Sequence, residues 1–288
     1  VTAAMADGTG LKQFALQHPG RFFDVGIAEE HAVTFAAGLA EGGLVPVVAM
    51  YSTFLQRAYD QVLEDVCLQN LHVIFAIDRA GIVGQDGETH QGVFDVSFLT
   101  EMPNLTVIAP KNALELKSAL HHAIHDLNGP VAIRYGRGAA SCAFENHNQT
   151  MKEHRSELLI DGSDATIFAV GAMNEVAGQI CEELKTGYGV SCGLVNVRYL
   201  KPLDTKTLLK YAEKGPIITL EDNQKIGGFG QQAAACLQEH GVSTKTLILA
   251  VGDQFVTHGK PDVLMHALGL SKDTAVEKIA SFLGINRI

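Results

Sequence analysis

The sequence predicts an α/β fold with two consecutive domains, each a mainly parallel sheet flanked by helices. Its apolar runs of strand length are continuous rather than alternating, which is typical of strands covered on both faces. Helical patterns separate these runs, and this strand–helix–strand spacing indicates right-handed crossovers in a parallel sheet. The pattern stops in a polar stretch over residues 139–157 and then restarts. We therefore predict a domain over residues 1–145, a linker over 146–160 and a smaller domain over 161–288.

Composition and charge narrow the classes of function. A net charge of −10 argues against a broad nucleic-acid surface, so a phosphorylated substrate would need a local basic pocket. No apolar run reaches the ~20 residues that cross a bilayer, so we expect no membrane association. The 5 cysteines are odd in number and lack a CxxC pair, which favours reduced thiols in a cytoplasmic protein.

The first domain begins with strands and helices in alternation. We predict its strands over residues 21–25, 44–50, 73–77, 105–109 and 129–138. We predict its helices over residues 11–17, 27–39, 51–66 and 113–125, with a short packed helix around residues 94–99. In the second domain we predict strands over 165–170, 190–197, 217–220 and 246–251, and helices over 174–184, 201–211, 231–240, 262–268 and 274–283. The second domain offers no residue for chemistry, and we expect it to contribute to a subunit interface.

Two adjacent carboxylates, Glu29 and Glu30, fall in the first turn of the helix predicted over residues 27–39. A carboxylate there can simply complement the positive end of the helix dipole, with a stabilisation under about 1 kcal/mol. Alternatively, one of them faces a cleft and carries out proton chemistry. This stretch alone leaves both explanations open.

A long glycine-rich loop follows the strand predicted over residues 73–77. It spans residues 78–92 and carries Arg79, Asp86, Glu88 and His90. Loops that leave the carboxyl ends of parallel strands are where α/β proteins bind ligands, and loops of this length are usually functional or disordered. The strand over 129–138 also ends in arginines beside glycines, an arrangement typical of phosphate contacts.

Two weaker patterns indicate no metal or nucleotide site. The glycines at 227–230 fit a tight helix entry better than a dinucleotide site, because the GxGxxG spacing and its acidic partner are missing. His121 and His125 have the spacing of a metal pair on a helix, but no carboxylate of matching register accompanies them. We therefore predict no metal ligands in this chain.

Several segments together resemble the 1-deoxy-D-xylulose-5-phosphate synthases, a thiamine diphosphate-dependent branch of the transketolase family. The resemblance runs over all 288 residues, and its most specific segments are residues 24–35, 51–61, 78–92, 129–138, 197–204 and 227–230. The loop around Asp86 and His90 distinguishes these synthases from ordinary transketolases and from 2-oxoacid dehydrogenase β-subunits.

The resemblance implies a set of cofactor contacts. Glu29 matches the glutamate that hydrogen-bonds the aminopyrimidine ring of thiamine diphosphate and so promotes loss of the thiazolium C2 proton. Phe54 matches the aromatic residue that stacks on the pyrimidine. Tyr51, Arg57 and Asp86 match residues beside the cofactor.

The resemblance also implies substrate contacts. Arg79 and Arg137 match the arginines that bind the phosphate of D-glyceraldehyde 3-phosphate, for which a planar guanidinium is suited. Tyr51 and His90 match residues of the substrate pocket, and His90 is a candidate for proton transfer to the developing alkoxide. Glu29 and His90 are thus the predicted catalytic residues.

The implied reaction decarboxylates pyruvate and adds the resulting fragment to D-glyceraldehyde 3-phosphate, at the entry to non-mevalonate isoprenoid synthesis. Family members hold Mg²⁺ and the cofactor diphosphate with a Gly-Asp-Gly…Asn motif in a preceding domain, and these 288 residues contain no such motif. We therefore expect this chain alone to bind thiamine diphosphate poorly and to be inactive. The N-terminal diphosphate-binding domain would be a separate piece or subunit, and the enzyme a homodimer.

Two other functions stay open. The first is that the chain is a β-subunit of a 2-oxoacid dehydrogenase, whose α-subunit would carry the metal site. The second is that it is a non-catalytic dimerisation or regulatory module, for which loss of Glu29, Phe54 or His90 would be expected. All three residues are present.

Overall fold

A computed structural model describes residues 1–147, 150–151 and 155–288. These residues form two five-stranded sheets flanked by helices. Each sheet has four parallel strands and one antiparallel edge strand. The predicted α/β class, with two mainly parallel sheets, is confirmed.

Both sheets contain chain crossovers, because some strands that are neighbours in a sheet are not consecutive in the chain. In chain order the strands are β1 Val47–Tyr51, β2 Ile74–Asp78, β3 Thr106–Ala109, β4 Val131–Arg134, β5 Glu157–Ile160, β6 Ala165–Ala169, β7 Cys192–Asn196, β8 Arg198–Lys201, β9 Ile217–Gln224 and β10 Thr246–Val251. The first sheet has the order β1-β2-β4-β3-β8, and the second has the order β10-β9-β6-β7-β5. Every residue of β4, β6 and β7 is buried, as expected for strands covered on both faces.

Helices cover both sheets. They are α1 Lys12–Gln17, α2 Glu29–Glu41, α3 Ser52–Leu55, α4 Tyr59–Gln61, α5 Asp95–Thr100, α6 Ala113–His125, α7 Met173–Tyr188, α8 Thr205–Ala212, α9 Phe229–Glu239, α10 Pro261–Ala267 and α11 Lys272–Leu283. The bounds of α6 are those that the sequence predicts. Asn112 fixes its start, because its side chain accepts a hydrogen bond from the Glu115 amide at 2.9 Å.

The segment predicted as a helix over residues 51–66 is helical from Ser52 to Cys67, but it is not one regular α-helix. Tyr51 completes β1, and the following segment consists of α3, a 3₁₀ turn at Gln56–Ala58, α4 and a π-helical turn at Val62–Cys67. In the π turn, the Leu68 amide donates to the carbonyl of Leu63 at 2.9 Å, five residues back. The apolar positions still face the core, so the sequence pattern did not reveal these local changes of pitch.

Two further elements differ from the predictions. Residues 21–25 form no sheet strand, since this segment makes only an isolated bridge between Asp24 and Thr2. The helix expected from Lys201 begins instead at Thr205, where Asp204 caps it. Residues 198–201 form β8, which leaves the second sheet and pairs antiparallel with β3 of the first. The interval 146–160 ends in β5, the edge strand of the second sheet.

A buried ionic cluster stands where β8 enters the first sheet. Arg198 Nη2 and Lys111 Nζ each lie 2.9 Å from Glu157 Oε2, and Lys111 Nζ lies 2.9 Å from Glu115 Oε1. Burial by itself would raise the pKa of Glu115, but Arg198 and Lys111 lower that pKa below its usual range. These ion pairs compensate the desolvation of charges buried between the two sheets.

Candidate active site

The two carboxylates that begin α2 have different surroundings. Glu29 is 3% exposed, and its Oε1 accepts a hydrogen bond from Arg57 Nη1 at 3.0 Å. Glu30, the next residue, is exposed to solvent. Asp24 Oδ1 accepts hydrogen bonds from the amides of Ala4 and Gly26, at 2.8 and 3.0 Å, and so fixes the turn before α2. The local fold thus points one glutamate into the protein and leaves the other as a surface charge.

An aromatic group lies at the carboxyl end of β1. The rings of Tyr51 and Phe54 are stacked, with centroids 5.7 Å apart, and His90 meets Phe54 edge-on at 5.3 Å. The Arg57 guanidinium carbon lies 5.6 Å from the centroid of Phe54. Gly8 makes room for Tyr51, since a Cβ at Gly8 would stand 1.6 Å from the tyrosine hydroxyl oxygen. These contacts connect the buried glutamate to the 78–92 loop.

Two arginines converge on one carboxylate oxygen in that loop. Arg79 Nη1 lies 2.9 Å from Asp86 Oδ2, and Arg137 Nη1 lies 3.1 Å from the same atom. The Arg79 guanidinium carbon also lies 3.9 Å from the centroid of the Tyr51 ring. Arg79 and Arg137 line a cavity of about 520 Å³ at the strand ends. Two guanidinium groups this close together have the geometry that suits binding of a compact anion.

The 78–92 loop is ordered by contacts at both ends. Gly81 and Gly92 exchange two backbone hydrogen bonds, at 2.8 and 2.7 Å. Thr53 Oγ1 donates to the carbonyl of Thr89 at 2.8 Å, which ties the loop to α3. The buried Gln91 side chain accepts from the Val83 amide at 2.9 Å. These contacts fix the loop, and the loop in turn holds His90 against Phe54.

The predicted site residues form one connected group. They are Glu29, Tyr51, Phe54, Arg57, Arg79, Asp86, His90 and Arg137, linked in space by the ion pairs, hydrogen bonds and ring contacts described above. The sequence separates them over four segments, which meet at the carboxyl ends of β1, β2 and β4. Their functional roles stay predictions.

Sequence reasoning missed a buried ionic link beside this group. Arg134, which ends β4, donates from Nε to Asp95 Oδ2 and from Nη2 to Asp222 Oδ1, both at 3.0 Å. Burial raises the pKa of Asp95, although Arg134 opposes this shift. Burial also raises the pKa of the neighbouring Glu221 to about 8. The available signal was an arginine at the end of an otherwise apolar strand, which requires a buried counter-ion.

Two negative findings apply to the part of the chain that the structure describes. Within residues 1–147, 150–151 and 155–288, no group of three or more His, Cys, Asp or Glu side chains is placed to hold a metal ion. His121 and His125 have ring centroids 4.4 Å apart, and His122 Nδ1 lies 2.8 Å from Asp126 Oδ2. Over the same described ranges, no helix is both long and apolar enough to cross a membrane.

Comparison with protein families accounts for both halves of the chain. Residues 1–141 match the transketolase pyrimidine-binding domain, and residues 154–274 match the transketolase C-terminal domain. The chain belongs to the transketolase family. This transketolase-family chain spans slightly less than half the length of the curated relatives that it matches.

Those relatives are 1-deoxy-D-xylulose-5-phosphate synthases. The chain is 48% identical to the synthase of Lachnoclostridium phytofermentans over 289 residues, covering 100% of this chain and 46% of the relative. It is also 48% identical to the synthase of Syntrophomonas wolfei over 282 residues, covering 97% of this chain and 44% of the relative.

Solved structures share the fold. A split-gene transketolase, described as an inactive β4 tetramer, is 28% identical with a TM-score of 0.87, covering 100% of this chain and 92% of the other. The transketolase of Campylobacter jejuni is 19% identical with a TM-score of 0.76, covering 97% of this chain and 43% of the other. The latter likeness concerns the fold alone.

Proposed function

We propose that this chain supplies the pyrimidine-binding half of the active site of a 1-deoxy-D-xylulose-5-phosphate synthase. The reaction condenses pyruvate with D-glyceraldehyde 3-phosphate, with loss of CO₂, and provides a precursor for isoprenoid synthesis. The observation that carries the proposal is the convergence of Arg79 and Arg137 on Asp86 beside the Phe54–His90 contact. The proposal requires an anion site next to an aromatic surface, and this convergence supports it.

The residues present fit the pyrimidine end of thiamine diphosphate. Phe54 is partly exposed and offers a flat apolar surface for a planar ring. Glu29 is buried at the helix terminus nearby and reaches Arg57, which also flanks Phe54. When bound, thiamine diphosphate supplies the electron sink that decarboxylation of pyruvate requires. Glu29 would hold a ring nitrogen of the pyrimidine by a hydrogen bond, and Tyr51 would support the stacking residue.

The remaining side chains act on the substrates. Arg79 and Arg137 bind the phosphate of the aldehyde with charge-assisted hydrogen bonds, in place of those that they make to Asp86. His90, held between Phe54 and Thr89, delivers a proton to the aldehyde oxygen as negative charge develops there. Tyr51, beneath Arg79, keeps that guanidinium directed towards the phosphate.

The proposal includes a second component and an assembly. A diphosphate-binding domain, in the same polypeptide or a separate one, would hold Mg²⁺ and the cofactor diphosphate, and the enzyme would be a homodimer. The split-gene transketolase supports the idea that such halves can be separate chains. We also propose a cytoplasmic location. The structure describes all five cysteines, and each is a free thiol, which supports this proposal.

The comparisons favour this function over the two alternatives. The relatives at 48% identity are synthases rather than 2-oxoacid dehydrogenase β-subunits. A non-catalytic module has no need to keep Glu29, Phe54 and His90 together. Here Arg57 links Glu29 to Phe54, and the His90 ring contacts the Phe54 ring. The synthase is therefore the function that we propose.

Isothermal titration calorimetry tests whether the cofactor site is divided between this chain and a diphosphate-binding domain. The 288-residue chain is expected to bind thiamine diphosphate with Mg²⁺ at least about a hundredfold more weakly than the complete enzyme, because several charge-assisted contacts to the diphosphate are missing. Pairing the chain with a diphosphate-binding domain from a related synthase serves as the positive control. Micromolar binding by the 288-residue chain alone would refute the division.

A further inference from the structure

Arg134 fixes the end of β4 to both domains. It is 3% exposed, and it is bound by Asp95 of the first domain and Asp222 of the second at 3.0 Å each. Two carboxylates held at different guanidinium nitrogens leave this side chain little freedom. Arg137, one half of the anion site, follows only three residues later. Arg137 thus lies three residues from an ionic link that includes the second domain.

Asp222 also contacts the base of the 78–92 loop. A Cβ at Gly81 would stand 1.8 Å from Asp222 Oδ2, so this glycine packs directly on the carboxylate. Gly81 has φ +74° and makes the paired backbone hydrogen bonds with Gly92 that close the loop. Arg79, the other half of the anion site, lies two residues before Gly81. One carboxylate of the second domain thus touches the supports of both arginines.

Other contacts seat the same loop on the second domain. Gln91 Nε2 donates to the carbonyl of Thr257 at 3.0 Å, and the Gly259 amide donates to the carbonyl of Gly84 at 3.4 Å. Within the first domain, the Ala80 amide donates to the carbonyl of Tyr135 at 3.0 Å, which joins the ends of β2 and β4. The 78–92 loop and the end of β4 are therefore fixed relative to each other, and the loop is also attached to the second domain.

We infer that Asp222 is a positioning residue for the acceptor phosphate. Through Arg134 and Gly81 it sets the distance between Arg137 and Arg79, and so the fit of the two guanidinium groups to one phosphate. The inference rests on the proposed function and extends it, since it gives the second domain a part in substrate selection. Asp222 acts through the two arginines and does not touch the substrate.

Asp222→Asn in the complete enzyme tests this inference. The amide keeps the volume of the carboxylate but removes its charge, so Arg134 retains only Asp95 as an anionic partner. The KM for D-glyceraldehyde 3-phosphate is expected to rise about tenfold. The KM for pyruvate, and the kcat/KM for unphosphorylated D-glyceraldehyde, are expected to change by less than about twofold. Without turnover, the Kd of glycerol 3-phosphate, measured by calorimetry, should also rise about tenfold.

A second variant and a matched control separate positioning from stability. Arg134→Lys keeps the charge but cannot reproduce both hydrogen bonds, so it should show the same phosphate-specific losses even if Asp222→Asn does not fold. Glu157→Gln weakens two other buried ion pairs between the sheets, one with Arg198 and one with Lys111, and should lower the Tm without changing the KM or the Kd.

The outcomes are distinct. If both Asp222→Asn and Arg134→Lys lower the Tm as Glu157→Gln does but leave the KM and the Kd for phosphorylated ligands unchanged, the positioning role is overturned. If the wild-type enzyme itself shows no preference for D-glyceraldehyde 3-phosphate over D-glyceraldehyde, the proposed function fails, whatever the variants do.

Discussion

Replacing Glu29 with glutamine in the complete enzyme is expected to lower the kcat of pyruvate turnover about a thousandfold, within the range of losses for a group that handles a proton. Glutamine keeps the size of the side chain and one acceptor oxygen, but it has no negative charge with which to stabilise a protonated ring nitrogen. The rate of CO₂ release from pyruvate is the measurement. Calorimetric binding of thiamine diphosphate should change much less, since the diphosphate contacts are intact.

The chain offers a matched control for this variant one residue away. Glu30 begins the same helix but is exposed, so Glu30→Gln removes the same charge from the same helix turn without touching the site. Its activity should equal that of the wild type. Unchanged turnover in Glu29→Gln would sink the role that we assign to this carboxylate, and Glu29 would then be a helix-dipole partner only.

Replacing Arg137 with alanine is expected to raise the KM for D-glyceraldehyde 3-phosphate about a hundredfold, because a charge-assisted hydrogen bond to phosphate is lost. Arg79→Ala should act in the same direction and additionally uncover the Tyr51 ring on which this guanidinium lies. The KM for pyruvate should stay near its wild-type value in both variants. Steady-state kinetics with each substrate varied in turn measures both effects.

Arg287→Ala is the control for loss of an arginine. Arg287 is an exposed residue that pairs with Glu183, away from the described site, and its removal should leave both KM values unchanged. If Arg79→Ala and Arg137→Ala raise the KM for pyruvate as much as the KM for the aldehyde, the two arginines do not form an acceptor-specific phosphate site.

Local signals in the sequence identified much of the fold. The bounds of α6 and β10 agree residue for residue with the predictions, because a capping asparagine starts the one and the other is a continuous apolar run. The predicted site residues also come together in space: three of their four segments follow the parallel strands β1, β2 and β4, whose carboxyl ends share one edge, and Glu29 reaches them from the start of α2.

Features that depend on distant partners were not predictable from one sequence. β8 pairs with β3, which lies far earlier in the chain, and nothing within residues 198–201 specifies that partner. In the sequence Asp222 simply follows the strand predicted over residues 217–220, and its contacts with Arg134 and Gly81 exist only in the folded chain. The 3₁₀ and π turns between Tyr51 and Leu68 keep the apolar face of a regular helix, so periodicity could not distinguish them.

The central claim is that this chain supplies half of a synthase active site. Its most direct test is a product assay with pyruvate, D-glyceraldehyde 3-phosphate, thiamine diphosphate and Mg²⁺, run on the chain alone and on the chain with a diphosphate-binding domain. We predict no turnover by the 288-residue chain alone, and equimolar CO₂ and 1-deoxy-D-xylulose 5-phosphate once the domain is added. Acetyl transfer to a lipoyl group with no response to D-glyceraldehyde 3-phosphate, or full turnover by the chain alone, would contradict the claim.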